Sequence, residues 1–108
     1  MSTVYVIQEV ENRDFFPARK FGDLEVLLPT NAQVVLSATP TLRKLQRNLA
    51  NFSDDDFILL SGDPIIMSLA MLVASEVNRG KVRTLKWDKR EKDYYEVTID
   101  LHGVDSSE

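Results

Sequence analysis

The segment between residues 57 and 87 constrains the fold most strongly, because it holds two strand-like runs separated by one helical stretch. Residues 57–60 form a continuous apolar run with aromatic and β-branched members, which is typical of a strand covered on both faces. Residues 82–87 are predicted to form the next strand. Strands joined through a helix have the layout of a right-handed parallel crossover, so we expect a parallel pair here.

The helix inside this segment has clear start and stop signals. Asp63 is expected to cap its first turn, Pro64 fits the first helical position, and Gly80 ends the helix. The residues between them are almost all apolar and leave scarcely any polar face. We therefore expect this helix to be buried on more than one side or to be covered by a second subunit.

The first third of the chain is predicted to contain two strands and one helical turn. Residues 3–10 are apolar on both faces and predict an inner strand, whereas residues 24–28 predict a second one. Residues 16–22 fit a single helical turn, with proline near its start and glycine just past its end. Residues 33–37 are expected to be a short extended run that pairs with residues 24–28 as a hairpin.

An amphipathic helix is predicted to begin at Thr39, which is expected to act as its cap, followed by Pro40 in the first helical position. Its apolar residues recur at helical spacing. They are Leu42, Leu45, Leu49 and Phe52. The residues that follow, 53–56, are predicted to form a solvated acidic turn.

The last elements form a predicted antiparallel hairpin. Residues 88–93 are its polar turn and residues 94–101 its second strand. The side chains expected on the buried side of that strand are Tyr95, Val97, Ile99 and Leu101. The fold class is therefore a small single α/β domain over residues 1–101, with a mixed, mostly parallel sheet and two main helices. Residues 102–108 have no apolar pattern and are expected to be a flexible tail.

Composition excludes several kinds of chemistry. The chain of 108 residues has no cysteine, and its one histidine, His102, lies in the predicted tail. We therefore predict no catalytic residues, no zinc site and no cofactor, and an enzyme that uses carboxylates alone is the last alternative. Asp54, Asp55 and Asp56 offer oxygen ligands, but consecutive positions lack the spacing of a calcium-binding loop, so we predict no metal.

Charge and apolar patterning indicate where such a chain works. Thirteen basic and 17 acidic residues give a net charge of −4, which argues against a surface built wholly for nucleic acid or anionic lipid. The amino-terminal residues lack the pattern of a signal peptide. The most apolar stretch, residues 65–77, is shorter than the roughly 20 residues of a membrane span. We expect a cytoplasmic protein without membrane contact.

The turn after residues 57–60 is the first candidate site. Ligands of open α/β sheets bind outside the carboxyl ends of the strands, and Ser61, Gly62 and Asp63 are predicted to lie there. Asp63 supplies its own negative charge to the helix start and Pro64 removes one N–H donor, so simple capping is the competing interpretation. A nucleotide-like ligand bound at this turn is one alternative function.

Basic residues supply the second candidate surface. Seven basic and two acidic residues lie between positions 79 and 92, close to Trp87, Tyr94 and Tyr95. Basic residues interleaved with aromatic ones can bind single-stranded nucleic acid, which is a further alternative. The competing interpretation is that Trp87 and Tyr95 belong to the core and the lysines lie on the solvated side of an edge hairpin.

The first helix also has a basic face, which is either solvated or meets an acidic partner surface. The candidate partner-binding residues are therefore Arg43, Lys44 and Arg47 on this helix and Lys86, Lys89 and Arg90 in the hairpin.

Several segments carry a resemblance to known proteins: DDDFILLSGDP at residues 54–64, NRG at 78–80, LKWD at 85–88, YY at 94–95 and DL at 100–101. Over residues 3–101 the chain resembles a family of small proteins encoded by tailed bacteriophages, found mainly in environmental phage genomes. The family has no assigned activity, so the resemblance implies a setting, the cytoplasm of an infected bacterium, and carries over no catalytic residues.

With this resemblance, the first hypothesis is a non-enzymatic phage accessory protein that binds a host or phage macromolecule, most simply a protein. The apolar helix adds the prediction of a homo-oligomer.

Overall fold

Strands and helices alternate along residues 2–103, the part of the chain that the computed structural model describes. The strands are β1 (Thr3–Gln8), β2 (Asp23–Leu28), β3 (Phe57–Leu59), β4 (Lys81–Asp88) and β5 (Asp93–Asp100). The helices are a 3₁₀ helix (Phe16–Lys20), α1 (Thr39–Asn48) and α2 (Pro64–Val77). Proline stands in the first turn of all three helices, where its missing N–H has no intrahelical partner to lose.

The five strands form one sheet in the order β2-β1-β3-β4-β5. The first four strands of this order are parallel, and β5 alone runs antiparallel, as the partner of β4 in a hairpin. The predicted α/β fold with a mixed, mostly parallel sheet is therefore confirmed. So are the inner position of β1 and the parallel crossover from β3 through α2 to β4.

The sheet separates two apolar layers. On one face, α1 and α2 pack against alternate strand residues such as Ile7, Ile58 and Val82. On the other face, the 3₁₀ helix packs with Ala18 against the second set of alternate residues, including Val6 and Leu59. Because both faces of β1 and β3 are covered, their side chains are buried irrespective of which face they point to, as the continuous apolar runs predict.

The start of α2 has the predicted form. The Oδ1 atom of Asp63 accepts hydrogen bonds from the backbone N–H groups of Ile65 at 2.8 Å and Ile66 at 3.3 Å, and Pro64 is the first helical residue. At the other end, Gly80 has a φ of +85°, a conformation that glycine adopts at little cost.

The burial of α2 differs from the expectation that it would be buried on more than one side. Its inner side contributes Ile66, Ala70, Val73 and Ala74 to the core. Ile65 and Leu72, which lie seven residues apart and therefore on one side of the helix, remain exposed. A partner that covers them stays a prediction.

The prediction of a hairpin between residues 24–28 and 33–37 is wrong. The partner of β2 is β1, in parallel, and residues 33–37 form no strand. Val35 is 77% exposed and Leu36 98% exposed. The loop turns instead across the carboxyl end of β1, where the backbone carbonyl groups of Pro29, Thr30 and Ala32 accept hydrogen bonds from the Gln8 side chain. The chain therefore does not return along the free outer edge of β2.

The predicted cap of α1 is also displaced by one residue. Thr39 is the first helical residue, and Ala38 takes the cap position without a side-chain hydrogen bond. The Thr39 N–H donates to the Oγ atom of Ser37 at 3.2 Å. The Ser37 hydroxyl, and not the Thr39 side chain, therefore supplies a side-chain acceptor at the start of this helix.

The buried side of β5 is opposite to the predicted one. Tyr94 is 3% exposed, whereas Tyr95, Val97, Ile99 and Leu101 are all exposed. The physical reason is the reach of the covering helices: the 3₁₀ helix lies against β5 on the Tyr94 side, while α2 lies over β1 and β4 and stops short of β5. A period of two identifies two faces of a strand but does not show which one is covered.

The predicted acidic turn at residues 53–56 is solvated only in part. Asp54 and Asp55 are exposed, but Asp56 is buried. Its carboxylate accepts hydrogen bonds from the backbone N–H of Thr3 at 3.0 Å and from the N–H and hydroxyl of Ser53 at 3.0 and 3.2 Å. Asp56 thus joins the first residue of β1 to the loop ahead of β3.

Residues 104–108 of the predicted tail lie outside the described residues. At the start of that tail, the His102 N–H donates to the Oδ1 atom of Asp100 at 3.1 Å. None of the helices within residues 2–103 is long and apolar enough to cross a membrane.

Replacing Asp56 tests the bond between the starts of β1 and β3. We expect Asp56→Ala to lower the free energy of unfolding by about 1–3 kcal/mol, because three partly buried donors lose their acceptor. Urea denaturation followed by circular dichroism measures this change. Asp55→Ala is the matched control, since Asp55 is exposed and its only side-chain partner would be solvent. Equal urea midpoints for the Asp56 and Asp55 variants would contradict a stabilising role of the Asp56 carboxylate.

Candidate ligand-binding cleft

A cleft of about 830 Å³ opens at the carboxyl ends of β1, β3 and β4. Residues that follow these strands form its walls, together with the loop after β2. The lining residues include Gln8, Glu9, Arg13, Asp63, Lys86, Trp87 and Lys89. The cleft therefore combines positions that are far apart in the sequence but adjacent at one edge of the sheet.

Topology explains why a cleft forms at this edge. Strands β1 and β3 are neighbours, yet the chain leaves β1 through the 3₁₀ helix on one face of the sheet. It leaves β3 through α2 on the opposite face. The two connections diverge and leave a crevice between them, which is the place where open α/β sheets bind ligands.

Gln8, the last residue of β1, forms the floor of the cleft. Its Nε2 atom lies 3.1 Å from the carbonyl oxygens of Pro29 and Ala32 and 3.3 Å from that of Thr30. Its Oε1 atom accepts from the backbone N–H of Asp63 at 2.9 Å. One buried amide thus joins the loop after β2 to the turn between β3 and α2.

Ser61 and Gly62 hold the same floor in place. The Ser61 hydroxyl donates to the backbone carbonyl of Gln8 at 2.7 Å and accepts from the Gln8 N–H at 3.2 Å. Gly62 has a φ of +94°, and a Cβ atom there would overlap the Gln8 side chain. Both residues line the cleft. Their contacts with Gln8 hold the turn between β3 and α2 against the end of β1. Their role in ligand binding stays a prediction.

Asp63 closes the usual anion site of an α/β turn. Its Oδ1 atom already accepts from the N–H groups of Ile65 and Ile66, and Pro64 has no N–H. The amino terminus of α2 therefore offers its free donors to Asp63 and not to a ligand phosphate. No hydrogen bond within residues 2–103 involves the Oδ2 atom of Asp63, so one carboxylate oxygen is left for a ligand.

The basic residues of the predicted hairpin surface lie in separate parts of the structure. Lys86 and Lys89 line the cleft, whereas Arg90 does not. Arg83 lies toward the other end of β4, where its guanidinium pairs with Glu96 at 3.0 Å and lies 4.1 Å from the centre of the Phe57 ring. This hydrogen-bonded pair raises the pKa of Arg83 and lowers that of Glu96.

The basic residues of α1 also lie apart from the cleft. Arg43, Lys44 and Arg47 are exposed on that helix and form none of the cleft walls. A partner for them is untested.

The aromatic residues of the hairpin take different roles. Trp87 is half-buried and lies in the wall of the cleft, with its ring 4.9 Å from that of Tyr94 in an edge-to-face arrangement. Tyr94 is core and Tyr95 is exposed, so the prediction that Tyr95 is a core residue is wrong. The half-buried indole offers part of a flat apolar surface to the cleft.

The cleft has charges of both signs. Three basic side chains, Arg13, Lys86 and Lys89, and three acidic ones, Glu9, Glu11 and Asp63, line it, so the formal charge of its lining is zero. Within the described residues, no group of three or more histidine, cysteine, aspartate or glutamate side chains is placed to hold a metal ion. The arrangement suits a ligand that carries an anionic group as well as neutral hydrogen-bond donors.

Sequence reasoning did not find Gln8, Glu9 or Arg13. The one available signal was Gln8 itself, a polar residue near the end of an otherwise apolar inner strand. Buried polar side chains in such positions need partners, and parallel strands end where other loops supply them.

Gln8→Ala tests the role of the floor. We expect a loss of about 2–4 kcal/mol in the free energy of unfolding, because the backbone N–H of Asp63 and three loop carbonyl groups lose their partner together. Gln33→Ala is the matched control, because Gln33 is an exposed glutamine of the same loop. Urea denaturation of both variants gives the comparison. A Gln8 variant as stable as the control would show that the amide does not hold these loops.

The fold and this cleft together define a small α/β domain with its candidate ligand site at a topological switch point. The chain belongs to the Phage Pam3 gp32-like protein family, whose sequence profile matches residues 2–101. This membership confirms the resemblance to phage-encoded proteins and makes the chain a phage protein. No curated protein and no solved structure matches the chain.

Proposed function

We propose that this phage protein binds a small anionic molecule with a planar ring, of the nucleotide class, in the cleft at the carboxyl ends of β1, β3 and β4. The observation that carries the proposal is the position of Trp87 and of three basic side chains in one cleft at the switch point of the sheet. We place the protein in the cytoplasm of the infected host, where nucleotides are abundant.

Trp87 supplies the ring-binding surface in this proposal. Its indole is fixed by the edge-to-face contact with Tyr94, so little side-chain entropy is lost when a ligand ring packs against it. Stacking of a base on an aromatic side chain contributes about 1–3 kcal/mol. A planar ring therefore has a preformed place in the cleft wall.

The charged side chains of the cleft suit the other groups of the proposed ligand, which are its anionic group and its hydroxyl groups. Lys86, Lys89 and Arg13 are charged donors for an anionic group that lies in the cleft. Glu9 and the remaining carboxylate oxygen of Asp63 are acceptors for hydroxyl groups such as those of a sugar. A ring, hydroxyl groups and an anionic group in one small molecule describe a nucleotide.

Removing two charges from the cleft tests this assignment. We expect wild-type protein to bind a nucleoside monophosphate saturably in isothermal titration calorimetry. The double variant Lys86→Gln with Lys89→Gln should bind about tenfold more weakly, because hydrogen bonds to charged groups are lost. Lys44→Gln with Arg47→Gln is the control, since it removes two charges from α1 outside the cleft.

Two results would contradict the proposal. One is the absence of saturable binding for monophosphates, diphosphates and triphosphates of all bases. The other is an equal loss of affinity in both double variants, which would indicate attraction by net charge alone.

A second candidate function is supported by β5. This strand forms one of the two edges of the sheet, and Tyr95, Val97 and Ile99 expose an apolar row along it. Edge strands usually carry charges, above all lysine, or proline or a bulge that discourages pairing. DYYEVTID has neither lysine nor proline, and two of its three carboxylates, Asp93 and Glu96, are paired with Lys20 and Arg83. The lysines of the hairpin lie in β4 and the turn instead. We propose, as the second candidate, that a protein partner adds a strand to β5.

Val97→Lys tests this second candidate. We expect tagged wild-type protein to retain one stoichiometric partner from lysate of the bacterial host after nuclease treatment and at high salt, and the variant to lose it, because lysine places a charge in the apolar row. Val35→Lys makes the same change at an exposed loop position and should retain the partner. A partner retained equally by both variants would place the interface elsewhere. Light scattering shows whether the partner is a second copy of the chain.

A further inference from the structure

The anionic group of the ligand needs a place other than the start of α2. That helix terminus is occupied by the Asp63 carboxylate, and Pro64 removes a further donor. An anion brought there would find these N–H donors already bound to a carboxylate. The other donors around the cleft are therefore the candidates for its place.

A second cavity adjoins the first. It has a volume of about 310 Å³ and shares Arg13 and Trp87 with the cleft. Its other walls are Asn12, Asp14, Pro17 and Tyr94. A ligand whose ring lies against Trp87 is therefore within reach of both spaces.

Tyr94 brings an unusual group to this second cavity. Its hydroxyl is buried and has no hydrogen-bond partner within residues 2–103. Burial raises the pKa of this hydroxyl, the charge of Arg13 lowers it and that of Asp14 raises it. Both charged residues line the cavity, as does Tyr94 itself. A buried hydroxyl without a partner destabilises the free protein, and a bound acceptor would offset this cost.

Three exposed polar side chains surround this hydroxyl: the donors Asn12 and Arg13 and the carboxylate of Asp14. Within the part of the chain that the structure describes, Arg13 forms no ion pair, and neither its guanidinium nor the Asn12 amide forms a hydrogen bond. The carboxylate of Asp14 already accepts from the backbone N–H of Phe16 at 2.9 Å. A guanidinium, an amide and a phenol hydroxyl together form a donor set suited to an oxyanion.

We propose that this second cavity is an oxyanion subsite, in which Arg13 and the Tyr94 hydroxyl bind the phosphate group of the ligand. The inference rests on the proposed function in one respect, which is that the ligand ring lies against Trp87. It adds that the phosphate lies on the face of the sheet that carries the 3₁₀ helix and away from the start of α2.

Trp87 is the only tryptophan of the chain and lies in the wall of the subsite, so its fluorescence reports on binding there. The probe is inorganic phosphate, titrated at constant ionic strength against chloride. We expect a saturable change for the wild type and a dissociation constant about tenfold higher for Tyr94→Phe, because one hydrogen bond to a charged group is lost. Arg13→Gln should weaken binding at least as much.

Two controls separate the subsite from general effects. Arg90→Gln also removes one arginine, but Arg90 lines neither cavity, so its phosphate affinity should equal that of the wild type. Tyr94→Phe should leave the melting temperature of the free protein unchanged or raise it, since the hydroxyl has no protein partner to lose.

Each outcome decides one of the two proposals. A phosphate response absent from the wild type, or unchanged in Tyr94→Phe, overturns the subsite, as does a lower melting temperature of that variant. A phosphate response that depends on Tyr94, in a protein that binds no nucleotide, supports the subsite and refutes the nucleotide ligand. Nucleotide binding that is insensitive to Tyr94→Phe supports only the cleft.

Discussion

The side-chain amide of Gln8 is the interaction on which the carboxyl edge of this domain depends. It lies at the end of a central strand and satisfies backbone groups from two loops that have no hydrogen bonds to one another. Gln8 is buried beneath the cleft, and its one side chain holds all of these groups. The missing Cβ of Gly62 leaves room for this amide, the hydroxyl of Ser61 binds the backbone of Gln8, and the cleft is the space above them.

The unequal cover of the two faces of the sheet determines the rest of the surface. Two α-helices lie on one face, and one short 3₁₀ helix lies on the other. Neither set covers both faces of β5, so this strand is buried through Tyr94 alone and exposes an apolar row beside solvent. The same cover by the 3₁₀ helix encloses the Tyr94 hydroxyl. One asymmetry therefore produces both an exposed apolar row on β5 and a buried hydroxyl without a partner within residues 2–103.

The elements of this fold were predictable where local signals and burial agree. The capped start of α2, the buried run of β3 and the crossover to β4 all follow from residue type and spacing. The buried face of β5 did not follow, because alternation leaves two choices and only the helices above the sheet decide between them. The prediction for residues 33–37 failed for a related reason: an alternating run of five residues does not show whether the chain returns along the free edge of β2 or crosses the end of β1, where Gln8 binds the loop.

The residues of the candidate site divide in the same way, into those that a local sequence pattern identifies and those that only the folded chain brings together. Ser61, Gly62 and Asp63 were found because a turn between a strand and a helix has a recognisable composition. Arg13 and Gln8 were not, since their importance arises from loops that meet only in the folded chain. Lys86 and Lys89 were found as members of a basic run, but their separation from Arg83 required the strand direction, which places them at the opposite end of β4.

The antiparallel direction of β5 places the two ends of the described chain together. Thr3 begins β1 at the amino edge of the sheet, and Asp100 ends β5 beside Lys81, the first residue of β4, at that same edge. The cleft lies at the opposite edge. A label, an affinity tag or a surface tether joined to either end of the domain therefore leaves the cleft open to solvent, so that the protein can be immobilised in one orientation with the cleft facing outward.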